Sequence, residues 1–302
     1  MDYNKPLADS FDGKLALFAV ALIGATFSAN PILRLLTAIK SKQTVSQFAP
    51  EGHQKKQGTP TMGGLIVAFG FLFTYLLEFS LGWQYRRIEV GASGNLGMGY
   101  FPGLTAYDIA IPILFFGFAA IGFVDDYLFP RLFAGKRGIG WKEKLLMQLL
   151  VALVCSVMMS TWHPLPILFT AFMILFFSNA YNFSDGLVGL ASVLLLGFGA
   201  FLVILPFGAP VAALLGAILP FFYLNRHPAK VFMGDVGSLP IGAVLGAVVA
   251  SVAWPRGWLN FKLGGFELDR YGIWMSLASS DAPQEQIGLR SASISTQSAA
   301  EE

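Results

Sequence analysis

Three short polar runs interrupt an otherwise apolar chain, and each carries groups suited to holding a cation or a phosphate. The first is Asp125-Asp126, which follows the stretch IPILFFGFAAIGFV. Adjacent carboxylates beside so apolar a run are costly unless a cation or cationic ligand compensates them. Mg²⁺ with a phosphate substrate is the usual solution, although an interfacial helix cap would use the same pair. The second run is Asn179-Ala180-Tyr181-Asn182-Phe183-Ser184-Asp185-Gly186. Its amides, hydroxyl and carboxylate can bind a sugar or nucleotide or ligate a metal; alternatively, Asp185 caps the helix that follows. The third runs from Asn225 to Ser238 and contains Arg226, Lys230, Phe232, Gly234, Asp235 and Gly237. There Asp235 offers a hard oxygen for Mg²⁺, the two cations offer phosphate-pairing charge, and the glycines allow close backbone approach, or simply reflect loop composition. Two basic segments complete the set, GHQKKQGTPTMGG at 52–64 and RGIGWKEK at 137–144. Anchoring at the cytoplasmic membrane surface explains any single one of their lysines equally well.

The elements that must position these runs are apolar helices. Of 302 residues, 55% are hydrophobic and 13% charged, with a mean hydropathy of +0.62; soluble domains run near 25% charged. A bilayer span takes about 20 apolar residues. Stretches 15–33, 59–77 and 109–124 supply one span each. Leu145 to Ser184 contains no Asp, Glu, Lys or Arg and is broken by His163-Pro164-Leu165-Pro166, and Gly186 to Asn225 is likewise uncharged and broken at Pro206–Pro210. Each therefore supplies two spans, and Val236 to Pro255 supplies the eighth. The expected fold is an all-α, polytopic transmembrane helix bundle of about eight spans embedded in a lipid bilayer. The single cysteine, Cys155, excludes an intramolecular disulfide framework, three histidines leave little for a zinc site, and a net charge of +2 gives no argument for nucleic acid.

Sorting all 20 Lys and Arg onto alternate sides of this path puts 12 on the loops 34–58, 125–144 and 225–235. Those loops are read as cytoplasmic, and all three acidic runs fall on that side. Residues 1–14 hold three Asp and two Lys, the wrong flank for a secretory signal, so the first span is kept as a helix. A transferase-like domain is expected over 1–255, with a polar, disordered tail over 256–302. Carboxylates, cations and glycines on one membrane face are the inventory of metal-assisted phosphoryl transfer. A transporter would instead place charges near span centres.

At these residues the chain resembles the phospho-N-acetylmuramoyl-pentapeptide transferases, a branch of the polyprenyl-phosphate N-acetylhexosamine-1-phosphate transferase superfamily (glycosyltransferase family 4). The resemblance extends from about Lys40 to Leu245 and rests on HQKKQGTPTMGG at 53–64, IGFVDDYL at 121–128, KLLMQ at 144–148, NAYNFSDG at 179–186 and HPAKVFMGDVGSL at 227–239. GTPTMGG points to the muramoyl branch rather than the N-acetylglucosamine-1-phosphate branch, which is the alternative. The resemblance implies transfer of phospho-N-acetylmuramoyl-pentapeptide from UDP to undecaprenyl phosphate at the cytoplasmic face of the bacterial inner membrane. The products are lipid I and UMP. It further implies Asp125 as base or activator with Asp126 beside it, Asp235 as the Mg²⁺ ligand, and Lys144 on the lipid phosphate. Lys56, Thr61, Asn179, Asn182, Asp185 and Phe232 would line the nucleotide-sugar site, with Phe232 stacking on uracil. Two departures stand out: Val188 replaces a further Asp, and the family's last two of ten spans, with their His-rich loop, are expected to be missing. An inactive remnant is therefore a second reading. The small-residue run Gly242–Ala247, together with the resemblance, allows a homodimer.

Overall fold

The structure is a computed structural model that describes residues 10–39, 58–81, 86–90, 96–100, 106–133, 138–160 and 164–253. The chain divides into two compact units, Met1–Pro255 and Arg256–Glu302, and every described residue belongs to the first. Lys56 and the expected tail lie outside the described residues.

Eight long helices form the described part of the first unit: α1 (Phe11–Ala38), α2 (Gly64–Leu81), α3 (Ala106–Leu132), α4 (Trp141–Met159), α5 (Pro164–Ser184), α6 (Leu190–Val203), α7 (Ala209–Asn225) and α8 (Asp235–Ala253). Of these, α1, α3, α5 and α8 are long and apolar enough to cross a membrane, while α6, α7 and the Gly64–Ser80 part of α2 are shorter apolar helices. These apolar helices mark a membrane protein with the expected helical bundle. Where the long uncharged intervals were expected to break, they do: α4 ends at Met159 before α5 opens on Pro164, and α6 ends at Val203 before α7 begins at Ala209. Ser10 opens α1 as its N-cap, accepting from the Gly13 amide at 3.0 Å, with Asp12 in the first turn facing the positive helix end.

Four details differ from the sequence reading. First, α1 is longer than 15–33 at both ends and takes in Lys14 and Arg34; the Lys14 ammonium reaches the Leu205 carbonyl at 3.0 Å. Second, the helix assigned to 59–77 starts only at Gly64, because Met62 adopts a left-handed φ of 70° and the Gly63 and Gly64 amides donate to Phe232 O and Met233 O instead of into a helix. Third, α3 does not stop at Asp125-Asp126: it continues through a π turn at Val124–Leu128 and one further turn to Leu132. Fourth, an antiparallel hairpin joins α2 to α3, with β1 (Arg86–Val90) paired to β2 (Leu96–Tyr100) so that Ile88 faces Met98.

α8 sits at the centre, packed against α5, α3 and α2, with every residue from Val236 to Val248 buried. Its small residues set the spacing. A Cβ on Gly242 or Gly246 would collide with the α5 backbone at Phe177 or Met173. The run Gly242–Ala247 is thus consumed inside one chain, which corrects its reading as a dimer surface. Dispersion across these backbone-to-backbone contacts stands in for the hydrophobic effect, which lipid does not supply between helices.

Candidate active site

Gly122 is where the first and third acidic runs meet. Two residues before the π segment, α3 crosses the N-terminus of α8 so closely that a Cβ on Gly122 would overlap the Asp235 carbonyl. The extra residue in the π turn then re-aims the side chains that follow it, a distortion common at functional sites. As a result Asp125 and Asp126, from α3, stand beside Asp235, the first residue of α8. A carboxylate oxygen from each of the three lies within 4.8 Å of the others.

Every carboxylate in the trio has a further tie. Asp125 accepts from the Ile139 amide at 2.6 Å through Oδ1 and from Lys144 Nζ at 2.8 Å through Oδ2. Lys144, in the first turn of α4, also pairs with Asp235 Oδ2. Asp126 Oδ2 accepts from the Val236 amide at 3.3 Å. The cap expected of this pair therefore exists, but it closes α8 rather than its own helix, where the helix dipole favours negative charge. Asp235 Oδ1 receives the Asn182 amide nitrogen at 2.7 Å, and that same nitrogen donates to Ser238 Oγ at 2.8 Å. At most three negative charges face the single positive charge of Lys144, so the cluster retains room for a divalent cation.

The second run closes the site from the α5 side. Asp185 Oδ2 accepts from the Gly234 amide at 3.2 Å. It does not cap the following helix: α6 opens on Gly189, in a left-handed conformation, with no side-chain cap. Gly234 itself has φ +73°, and a Cβ there would sit 2.5 Å from Asp126 Oδ2 and 3.0 Å from Thr61 Oγ1. Thr61 is therefore at the same junction. Phe232 is half-buried, its amide donating to Pro60 O at 2.9 Å and its carbonyl accepting from Gly63 at 2.7 Å, so the uncharged residues 58–64 and the third run form one folded loop pair. Asn179 makes no hydrogen bond to the carboxylates among the described residues: its amide nitrogen donates to Gln148 Oε1 and to Leu175 O, each at 2.8 Å.

Residues without an assigned role in the sequence reading also matter. Asn225, 4% exposed, donates to Val231 O at 2.8 Å and accepts from the Gly189 amide at 2.9 Å, bridging the loop that carries Phe232 and tying its start to the N-terminus of α6. Gln148 is fully buried beneath Lys144, and the spacing of four residues in a helix was the signal that placed them on one face. Ser238 was marked only by its place in the third run.

Residues 109–253 match the family described as Glycosyl transferase family 4, and residues 56–66 match the Phospho-N-acetylmuramoyl-pentapeptide-transferase signature 1. A phospho-N-acetylmuramoyl-pentapeptide-transferase of Oceanobacillus iheyensis is 33% identical over 263 residues, covering 78% of this chain and 74% of that protein. Proteins of the same name from Bacillus mycoides and Bacillus cereus are 31% identical over 262 residues, with the same coverage of both chains.

Proposed function

The chain belongs to the phospho-N-acetylmuramoyl-pentapeptide transferase family, and on that premise we propose that it transfers phospho-N-acetylmuramoyl-pentapeptide from its UDP carrier to undecaprenyl phosphate in peptidoglycan synthesis. The observation that carries this reading is the convergence of Asp125, Asp126, Asp235 and Lys144 from three helices on one point. In the net reaction a lipid-phosphate oxygen bonds to the sugar-linked phosphorus of the pyrophosphate. The bond from that phosphorus to the bridging oxygen breaks, and UMP leaves with the electron pair, yielding lipid I.

Asp125 orients and activates the lipid phosphate, and Lys144, already between two carboxylates, is placed to trade one of them for a phosphate oxygen. Asp126 holds the α8 N-terminus in register. Thr61, Asn182, Asp185 and Phe232, with Lys56, line the nucleotide-sugar side, Phe232 offering a flat face to uracil. The hard oxygens of Asp235, Asp125 and Asp126 suit Mg²⁺, which when bound disperses charge on the pyrophosphate and on the departing UMP. The signature at 56–66 favours the muramoyl donor over N-acetylglucosamine. The Lys and Arg of the loops favour a cytoplasmic position for this end of the bundle in the cytoplasmic membrane of a bacterium, with residues 1–255 carrying the machinery.

The test is UMP release by purified, folded protein supplied with UDP-N-acetylmuramoyl-pentapeptide, undecaprenyl phosphate and Mg²⁺. EDTA-sensitive release is expected. No release would leave the inactive remnant as the better reading.

A further inference from the structure

Both amides of the second run have their nitrogen atoms fully engaged inside the protein. The two N–H groups of Asn182 go to Asp235 and Ser238, and the two of Asn179 go to Gln148 Oε1 and Leu175 O. An asparagine side chain has two donors and one carbonyl. What Asn179 has left to offer a ligand is its Oδ1, on an exposed residue one helical turn from Asn182 and hence on the same face as the carboxylate cluster.

Gln148 controls this polarity. It is 0% exposed, and its Oε1 accepts from Asn179 while its Nε2 has no partner among the described residues. Rotating both amides would satisfy that nitrogen, but it would also turn the Asn179 oxygen toward the Leu175 carbonyl, oxygen against oxygen. The Leu175 carbonyl therefore selects the observed orientation, and the buried amide beneath Lys144 locks it.

An outward-facing acceptor discriminates between the two substrates proposed above. Phosphate oxygens are themselves acceptors and gain nothing from it. A polyprenyl phosphate has no other polar group, whereas the nucleotide-sugar carries hydroxyl and amide N–H donors on its uridine and on its sugar, two sources that a comparison with UDP separates. We infer that Gln148 is a positioning residue that fixes Asn179 as a hydrogen-bond acceptor for a donor group on the sugar portion of the nucleotide-sugar. This rests on the transferase reading and adds to it a specificity element, reached through a side chain that never touches substrate.

The test is calorimetric affinity of folded wild-type and variant protein for UDP-N-acetylmuramoyl-pentapeptide and, separately, for UDP. Asn179→Leu is expected to weaken binding of the nucleotide-sugar about 10-fold and Gln148→Leu about 3- to 10-fold, with UDP affinity unchanged within about 2-fold. Asn179→Asp, an acceptor only, is expected to retain most of the affinity, because the Gln148 amide can turn its free nitrogen toward it. Equal losses for UDP and the nucleotide-sugar, or an Asp variant as weak as the Leu variant, would overturn the inference. Wild-type protein that binds the nucleotide-sugar as described but releases no UMP would overturn the transferase reading alone.

Discussion

Replacing Gly122 by Ala tests whether the site depends on the α3–α8 crossing. The added Cβ would fall well inside 3.0 Å of the Asp235 carbonyl, whereas ordinary contact begins at 3.4 Å. Because the obstacle is backbone rather than the end of a flexible side chain, the helices must separate by about 1 Å, and a misplacement of that size costs about 10²-fold in rate. This corresponds to about 2.7 kcal/mol in the barrier, alongside about 1–3 kcal/mol of overpacking in stability. The assay is UMP release at saturating substrates, with thermal unfolding measured in parallel. The control is Gly197→Ala on α6, where a Cβ would meet nothing within 4 Å; it should leave the rate unchanged. A Gly122→Ala enzyme that is folded and turns over within about 3-fold of wild type would refute the claim that this crossing sets the carboxylate geometry.

Asp125→Asn and Asp235→Asn should each lower turnover by about 10³-fold or more while the protein still inserts and purifies normally, since each removes a charge from the proposed cation and phosphate site; a near-normal rate would remove that residue from its role. Mg²⁺ should raise the unfolding temperature of the wild type in a concentration-dependent way, and Asp235→Asn should flatten that response, which reports binding without turnover. Asn225→Leu leaves the buried Val231 carbonyl and the part-buried Gly189 amide without their partner, so a stability loss of about 1–3 kcal/mol is expected by thermal or denaturant unfolding. Its KM for the nucleotide-sugar should rise as the Phe232 loop loosens.

The helices and the three acidic runs were legible because lipid enforces a simple rule: long apolar stretches span, and polar residues between them stand out. Lys144 and Asp235 could be named from motif and position, but their shared ion pair could not, because it joins residues 91 apart in sequence. The same holds for the cap that Asp126 places on α8. Local hydropathy also hides backbone irregularity. VDDYL reads as the end of a span, yet it is a π turn inside a longer helix, and the turn at Met62 is invisible in a run of small residues until its amides are seen to bond to the Phe232 segment. The small residues of α8 misled for a related reason: spacing announces that a backbone will come close, but not whether that backbone is the chain's own.

The cap that α3 supplies to α8 bears on how this protein is made. A ribosome delivers Asp125 and Asp126 to the membrane 110 residues before the Val236 amide that one of them receives. The last described helix, 78% buried along its most apolar stretch, must then slide between α3 and α5 rather than pack on their outside. Until that keystone is seated, the nascent bundle holds an acidic pair with no α8 dipole to answer it. Assembly is thereby coupled to the proposed catalysis: a chain in which α8 has not docked lacks the proposed site.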